Sequence, residues 1–215
     1  AIIHCIIIFM IMFAFSRYFL PYKGASNGKV IAIPKGIVTL FGVLAVISFL
    51  GEGGMMDWSG VFLTEAKGVD LSLAGVGYAV FSAAMLIGRL IGDKVVQKLG
   101  EQRVVIFGGI VASVGYIISI VFDNFFMMQF GFILLGFGAA NIVPVVFTLL
   151  GRQKEMPINS AVTAVTSMGY LGVMFGPALL GFIAHGIGIV TVFCILAGLF
   201  ILQAIVSSYV FKVLN

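Results

Sequence analysis

The sequence predicts an all-α membrane protein, a polytopic bundle of about seven transmembrane helices. Three observations carry that expectation. Hydrophobic residues make up 61% of the 215-residue chain and charged residues 9%, whereas a water-soluble domain carries roughly a quarter charged residues. Too few polar side chains remain to cover a water-facing surface. The apolar residues fall into seven runs, each near the roughly 20 residues that a helix needs to cross a hydrocarbon core of about 30 Å. The charges gather between the runs, with basic residues on alternate connections. Lipid leaves only helices or closed barrels as spanning structures, and long runs without strict alternation are not barrel strands.

The runs cover 2–20, 37–63, 73–92, 104–122, 126–150, 161–184 and 188–211. The first reads as a lone transmembrane helix over 1–20. The connection after it, PYKGASNGKVIAIPK from Pro21, holds proline and glycine and marks a cytoplasmic linker over 21–36. A six-helix transmembrane domain over 37–215 is expected to follow. Ala1 already lies in a hydrophobic run and no cleavable signal is visible, so the chain is expected to begin in the middle of a longer protein.

Eleven of the twelve Lys and Arg residues fall on one side of the zigzag, and only Lys67 on the other, beside Glu65, Asp70 and Asp123. Positive loops stay cytoplasmic, which predicts a multi-pass protein of the cell (inner) membrane with a cytoplasmic C-terminus. The six later runs also echo one another. GRLIGDKVVQKLG from Gly88 aligns with GPALLGFIAHGIG from Gly176, 88 residues on, matching Gly100 to Gly188 as well. Two three-helix units in opposite membrane orientation, Ile37 to Phe122 and Phe125 to Phe211, are what that spacing implies.

Several function classes find no support in the residues. The net charge is +4, but no basic run with interleaved aromatics suggests nucleic acid. Cys5 and Cys194 sit inside apolar runs and read as buried, inert thiols. His4 and His185 are far apart and form no metal-ligand pattern, so no metal and no cofactor are expected. No phosphate-binding loop or HExxH occurs, and loops of a few residues leave no room for a soluble catalytic domain. An enzyme is not expected. The expected partners are the lipid bilayer, a small-molecule solute and protons.

The polar residues inside the runs are the candidate site. GEGGMMDW, Gly51 to Trp58, places two acids in a run otherwise apolar from Ile37 to Leu63. At about 1.5 Å per residue, Glu52 lies roughly 22 Å from the cytoplasmic boundary, inside the hydrocarbon. Intramembrane acids mark ion or substrate paths, so Glu52 is the leading proton- or substrate-binding candidate. Asp57 lies near about 30 Å beside Trp58, and reads first as a wetted interfacial carboxylate. Gly51, Gly53 and Gly54 allow bending or close packing, as do Gly176 and Pro177. Asn141 and Pro144 make the run 126–150 irregular, because proline removes a backbone hydrogen bond and frees a carbonyl. Tyr78, Ser82, Ser167 and Tyr170 are further mid-span polar groups, packing or binding. Glu52, Asn141 and Tyr170 are expected on one concave surface. The runs 104–122 and 188–211 hold few polar groups and read as lipid-facing supports.

Motifs now add a resemblance. GRLIGDKVVQKLGEQR, Gly88 to Arg103, resembles the loop signature of the major facilitator superfamily. GFGAANIVP (Gly136 to Pro144) is similar to the tenth helix of fucose-permease-like members, GYLGVMFGPALLG (Gly169 to Gly181) to the eleventh, and EGGMMDWSGVFL (Glu52 to Leu63) to the seventh in a bacterial branch. The resemblance implies the sixth to twelfth helices of a secondary transporter working by alternating access, with the N-terminal half missing and needed for transport. It implies a sugar-like or drug-like solute and proton coupling through Glu52. It also implies a cytoplasmic latch in which Asp93, with Gly88, Arg89 and Gly92, meets Arg103 or Arg152. A structural or assembly membrane protein without transport, or a channel-like pore, are the alternatives.

Overall fold

The computed structural model describes residues 2–15 and 32–214, with side chains from Phe9 onward. The described elements are α1 (Ile2–Phe15), α2 (Ile37–Val61), α3 (Val76–Leu90), α4 (Gly92–Leu99), α5 (Glu101–Val121), α6 (Phe125–Ala139), α7 (Ile142–Leu150), α8 (Ile158–Ile187) and α9 (Ile189–Leu214). A π-helical turn, Phe62–Ala66, extends α2, and a short 3-10 turn, Leu71–Leu73, leads into α3. Six segments are long and apolar enough to cross a membrane: Ile37–Ala66, Leu71–Leu90, Glu101–Val121, Phe125–Leu150, Ile158–Ile187 and Ile189–Leu214. Of the run 2–20, α1 is described, with Phe9 to Phe13 and Phe15 exposed. The rest of that run and most of the linker 21–36 lie outside the described residues.

The triplet spacing holds in the backbone. α2 and α5 begin at Ile37 and Glu101, and 88 residues further on α6 and α9 begin at Phe125 and Ile189. The matched glycines share one conformation: Gly100 has φ 82° and ψ 151°, Gly188 φ 91° and ψ 153°. Each ends one helix and starts the next in a region that L side chains rarely adopt.

Packing crosses between the triplets. α2 lies against α8 and α9, α3 against α6, and α5 between α6 and α9. Lipid offers no hydrophobic drive between helices, so close van der Waals contact through small residues holds them. A Cβ on Gly115 would stand 2.5 Å from the Gly131 carbonyl oxygen, and one on Gly138 2.5 Å from the Ala112 nitrogen. The core is aromatic. Phe62 stacks on Phe193 at 4.0 Å between centroids, and Tyr116 meets Phe193 edge-on at 5.4 Å. Two buried polar contacts cross between helices: Gln203 Nε2 donates to Ser48 Oγ at 3.0 Å and Ser113 Oγ to the Ala197 carbonyl at 2.9 Å.

Two expectations change here. α5 and α9 each bury one face in the bundle, through Tyr116, Phe193 and Phe200 among others. It is α8 that exposes a long apolar face, with Met174, Phe175 and Phe182 outward. Cys194 is exposed on α9 rather than buried, because that helix turns its Phe193 and Leu196 face to the core. Of bending and close packing, the structure shows contact: Gly51 lies against Phe200, Gly54 against Leu196 and Gly176 against Leu50, while α2 and α8 each run as one α-helix.

The turns between spans are tied at both ends. At the end carrying Lys67, its Nζ pairs with Asp123 at 2.6 Å and donates to the Ile120 carbonyl at 2.7 Å. Asp70 caps the turn into α3, accepting from the Ser72 hydroxyl at 2.5 Å and the Ser72 amide at 2.9 Å. Those bonds hold its carboxyl below the usual carboxylate range. At the other end, which gathers Lys35, Lys94, Lys98, Arg103, Arg152, Lys154 and Lys212, Arg152 pairs with Glu101 at 2.7 Å. There the Glu155 carboxylate also accepts from the Ile37 amide at 3.0 Å, capping α2 from a turn 118 residues away.

Gly36, just before that cap, has φ 51° and ψ −128°, and the Glu155 carboxylate fills the space a Cβ would need. Gly36→Ala is expected to cost about 2 kcal/mol, because both the backbone conformation and the space exclude the methyl group. Thermal unfolding of the purified protein in detergent checks it; an unchanged midpoint would show that the α2 start is free to rearrange.

Candidate functional site

Charged side chains of the apolar spans come together between α2 and α3, with Val173 of α8 at the edge. α2 places Glu52 between two packing glycines: Gly51 lies against Phe200 and Gly54 against Leu196. Gly53, one residue on, has nothing within 4 Å of its Cβ direction. That open side is a pocket of about 360 Å³ lined by Phe49, Glu52, Gly53, Met56, Tyr78 and Arg89, with Phe81, Ser82, Met85, Leu86 and Val173 completing the wall.

Glu52 is not alone there. Arg89 Nη2 on α3 donates to both Glu52 carboxylate oxygens at 3.3 Å. Pairing answers the cost of a charge in an apolar setting. The Glu52 side chain is 22% exposed and that of Arg89 46%.

A break in the neighbouring helix holds the arginine. α6 ends at Ala139 and α7 begins at Ile142, with Pro144 in the first turn of α7. Pro144 has no N–H for the carbonyl four residues earlier. That carbonyl, Ala140 O, accepts instead from Arg89 Nε at 3.4 Å. Asn141 Nδ2 donates to the Gly88 carbonyl at 3.0 Å, fixing the end of α3 against the same break. Gly88 and Gly92 permit the approach, since Cβ atoms there would strike Ala140 and Asn141. Below Glu52, the buried Tyr116 hydroxyl donates to the Gly51 carbonyl at 3.0 Å.

The expected single surface of Glu52, Asn141 and Tyr170 is therefore split. Asn141 serves the interhelical hydrogen bond and does not line the Glu52 pocket, because its amide is spent on Gly88. Tyr170 is exposed and stacks on Phe49 at 6.1 Å, one side chain back from the pocket. Tyr78 and Ser82 line the pocket with Glu52. Asp57 and Ser167 are exposed outside it.

Asp93 has no ion pair among the described residues, a correction to the expected contact with Arg103 or Arg152. It sits exposed in the first turn of α4, where the helix dipole favours an acid without a cation. Arg152 takes Glu101, Arg89 takes Glu52, and Arg103 stays exposed. Sequence reasoning passed over Glu101, Glu155 and Tyr116 as functional contacts. The two acids carried a signal in their position among the basic residues of the connections; Tyr116 carried none.

Comparison with known proteins settles the family. The Major Facilitator Superfamily profile matches residues 41–214. This chain belongs to the Major Facilitator Superfamily. It is 46% identical over 159 residues to an uncharacterized MFS-type transporter of Yersinia pestis, covering 74% of this chain and 41% of that protein. It is 30% identical to the membrane protein MosC of Rhizobium meliloti, covering 70% of this chain and 37% of MosC. The chain thus spans about two fifths of the length of these relatives.

Solved superfamily structures share the fold. A peptide transporter of the POT family, determined with sulfate, superposes with a TM-score of 0.70 at 20% identity, covering 88% of this chain and 39% of that one. A bacterial homologue of the human drug peptide transporters gives 0.66 at 20% identity, covering 80% and 41%. The superfamily fold is one of transporters rather than enzymes, and the six spans make this a multi-pass membrane protein.

Proposed function

We propose that this chain is the C-terminal part of a secondary transporter that moves a small polar solute by alternating access, coupled to protons. The observation that carries the reading is the Glu52–Arg89 pair facing a pocket inside the membrane-spanning bundle. An ion pair at this depth is costly unless it serves a path for solute or ion. In this reading 37–215 is the C-terminal six-helix domain, 1–20 a lone helix and 21–36 a cytoplasmic linker. The remainder of the full-length protein closes the pocket from the other side. Positive loops put the basic end and the C-terminus in the cytoplasm of the inner membrane. The fucose-permease-like branch fits the glycine-rich helices quoted above.

Uptake and efflux profiling of the full-length protein in vesicles, with and without a proton gradient, tests this. Glu52→Gln keeps shape and hydrogen bonding while removing titration. Gradient-driven accumulation is expected to fall to the level of simple equilibration, while solute exchange without a gradient survives. Accumulation in the variant that still follows the gradient as in the unmodified protein would remove Glu52 from coupling.

A further inference from the structure

Of the two charges in the α2–α3 pocket, one can be discharged and the other cannot. A carboxylate can take a proton, whereas a guanidinium stays charged at any pH a protein meets. The pair as built carries no net charge. A cation that claimed Glu52 would strand Arg89 beside Phe81, Met85 and Leu86, with no proton to lose. An anion that claims Arg89 strands Glu52 instead, and Glu52 is relieved by a proton from water. The asymmetry selects anions.

Arg89 is also built to change partners. Its single Nη2 spans both Glu52 oxygens at 3.3 Å, a long contact and not the parallel two-nitrogen fork. Among the described residues no acceptor meets Nη1. The bond from Nε to the Ala140 carbonyl holds the group at the pocket without consuming that edge. Around it the wall is apolar and aromatic, from Phe49, Met56, Tyr78, Phe81 and Met85.

We propose that the pocket takes a small organic monocarboxylate with an apolar or aromatic body on Arg89, and that Glu52 takes up one proton as it is displaced. This rests on the pocket being the transport site. The covalent change is one proton transfer: an O–H bond forms on Glu52 as the donor bond of a hydronium ion or protonated buffer breaks, leaving water or the buffer base in solution. The Glu52–Arg89 pair is exchanged for a ligand–Arg89 pair, so anion and proton enter together and the site gains no net charge. Uncharged sugars, which cannot compete for the guanidinium, are poor ligands.

The titratable groups around Glu52 are few. α3 contributes Arg89 and Tyr78, α5 the fully buried Tyr116 behind Gly51, and α8 Tyr170 behind Phe49. The titratable side chains His185 on α8 and Cys194, Tyr209 and Lys212 on α9 line no part of this pocket, and α7 carries none.

Benzoate, benzamide and benzylamine share one body and differ in charge. Calorimetric binding of each to the purified full-length protein at neutral pH, in buffers of different ionisation enthalpy, reports affinity and proton uptake together. Benzoate is expected to bind about tenfold more tightly than the other two and to bring about one proton with it. Glu52→Gln should retain benzoate binding and lose the proton uptake; Arg89→Gln should lose benzoate binding. Should Arg89→Gln fail to fold, the proton count in Glu52→Gln decides.

Preferential binding of benzylamine, benzoate binding without proton uptake, uptake that persists in Glu52→Gln, or no binding by any probe would each overturn the assignment. The broader reading is separable from it. Benzoate and a proton bound as stated, with vesicles moving no solute, would end the transport reading and leave the anion site. Vesicle transport of a neutral or cationic solute that benzoate does not inhibit would do the reverse.

Discussion

Gly115→Val is expected to disrupt the bundle, lowering stability by about 3 kcal/mol or more. A Cβ at Gly115 would stand 2.5 Å from the Gly131 carbonyl oxygen and 2.6 Å from the Leu135 nitrogen. Both neighbours are backbone, so no side chain can swing away. The reciprocal contact, Gly131 against the Gly115 carbonyl at 2.6 Å, lies in the same seam, and Gly138 against Gly108 repeats it one helix segment further. Relief requires α5 and α6 to separate, and α5 also carries Tyr116 into the aromatic core. Gly53→Ala is the control, because nothing stands within 4 Å of that position. It should leave stability unchanged or raise it by up to about 1 kcal/mol through helix propensity. Thermal unfolding in detergent measures both. A Gly115→Val protein with an unchanged midpoint would mean that the α5–α6 seam is looser than described.

The second large effect concerns the ion pair. Arg89→Gln leaves Glu52 without a cation in a pocket of Phe49, Met56 and Phe81. Removing one partner of a fully buried pair costs about 3–5 kcal/mol, and exposed pairs are worth about 1 kcal/mol or less. With side chains 22% and 46% exposed, a loss of about 2 kcal/mol is expected, between those limits. Combining Arg89→Gln with Glu52→Gln should recover most of it, since no charge is then left unpaired. The double-mutant cycle isolates that coupling. Additive losses would show that the two side chains do not sense each other and that 3.3 Å of separation is coincidence.

Much of this protein follows from its sequence because lipid is a demanding solvent. Composition fixed the membrane class, run length fixed the six described spans, and the placement of Lys and Arg matches the two ends of the bundle. The repeat was legible in Gly100 and Gly188, since both need the same positive φ. Glu52 stood out because an acid in a long apolar run demands an explanation. Pro144 did as well, because a missing N–H frees a carbonyl wherever it occurs.

Partners were decided only in three dimensions. Nothing local links Glu52 to Arg89, which lie 37 residues apart, or Glu155 to the Ile37 amide, 118 residues away. The loop pattern drew attention to Asp93, yet helix direction left it in solvent and gave Arg152 to Glu101. Asn141 looked like a ligand group by residue type, and the approach of Gly88 turned it into a structural tie. Run length, charge bias and backbone conformation are properties of a segment and its solvent, so the sequence by itself determined them. Which carboxylate meets which cation depends on helix rotation and spacing, and those were set by the glycine contacts that let α3, α5 and α6 approach backbone to backbone.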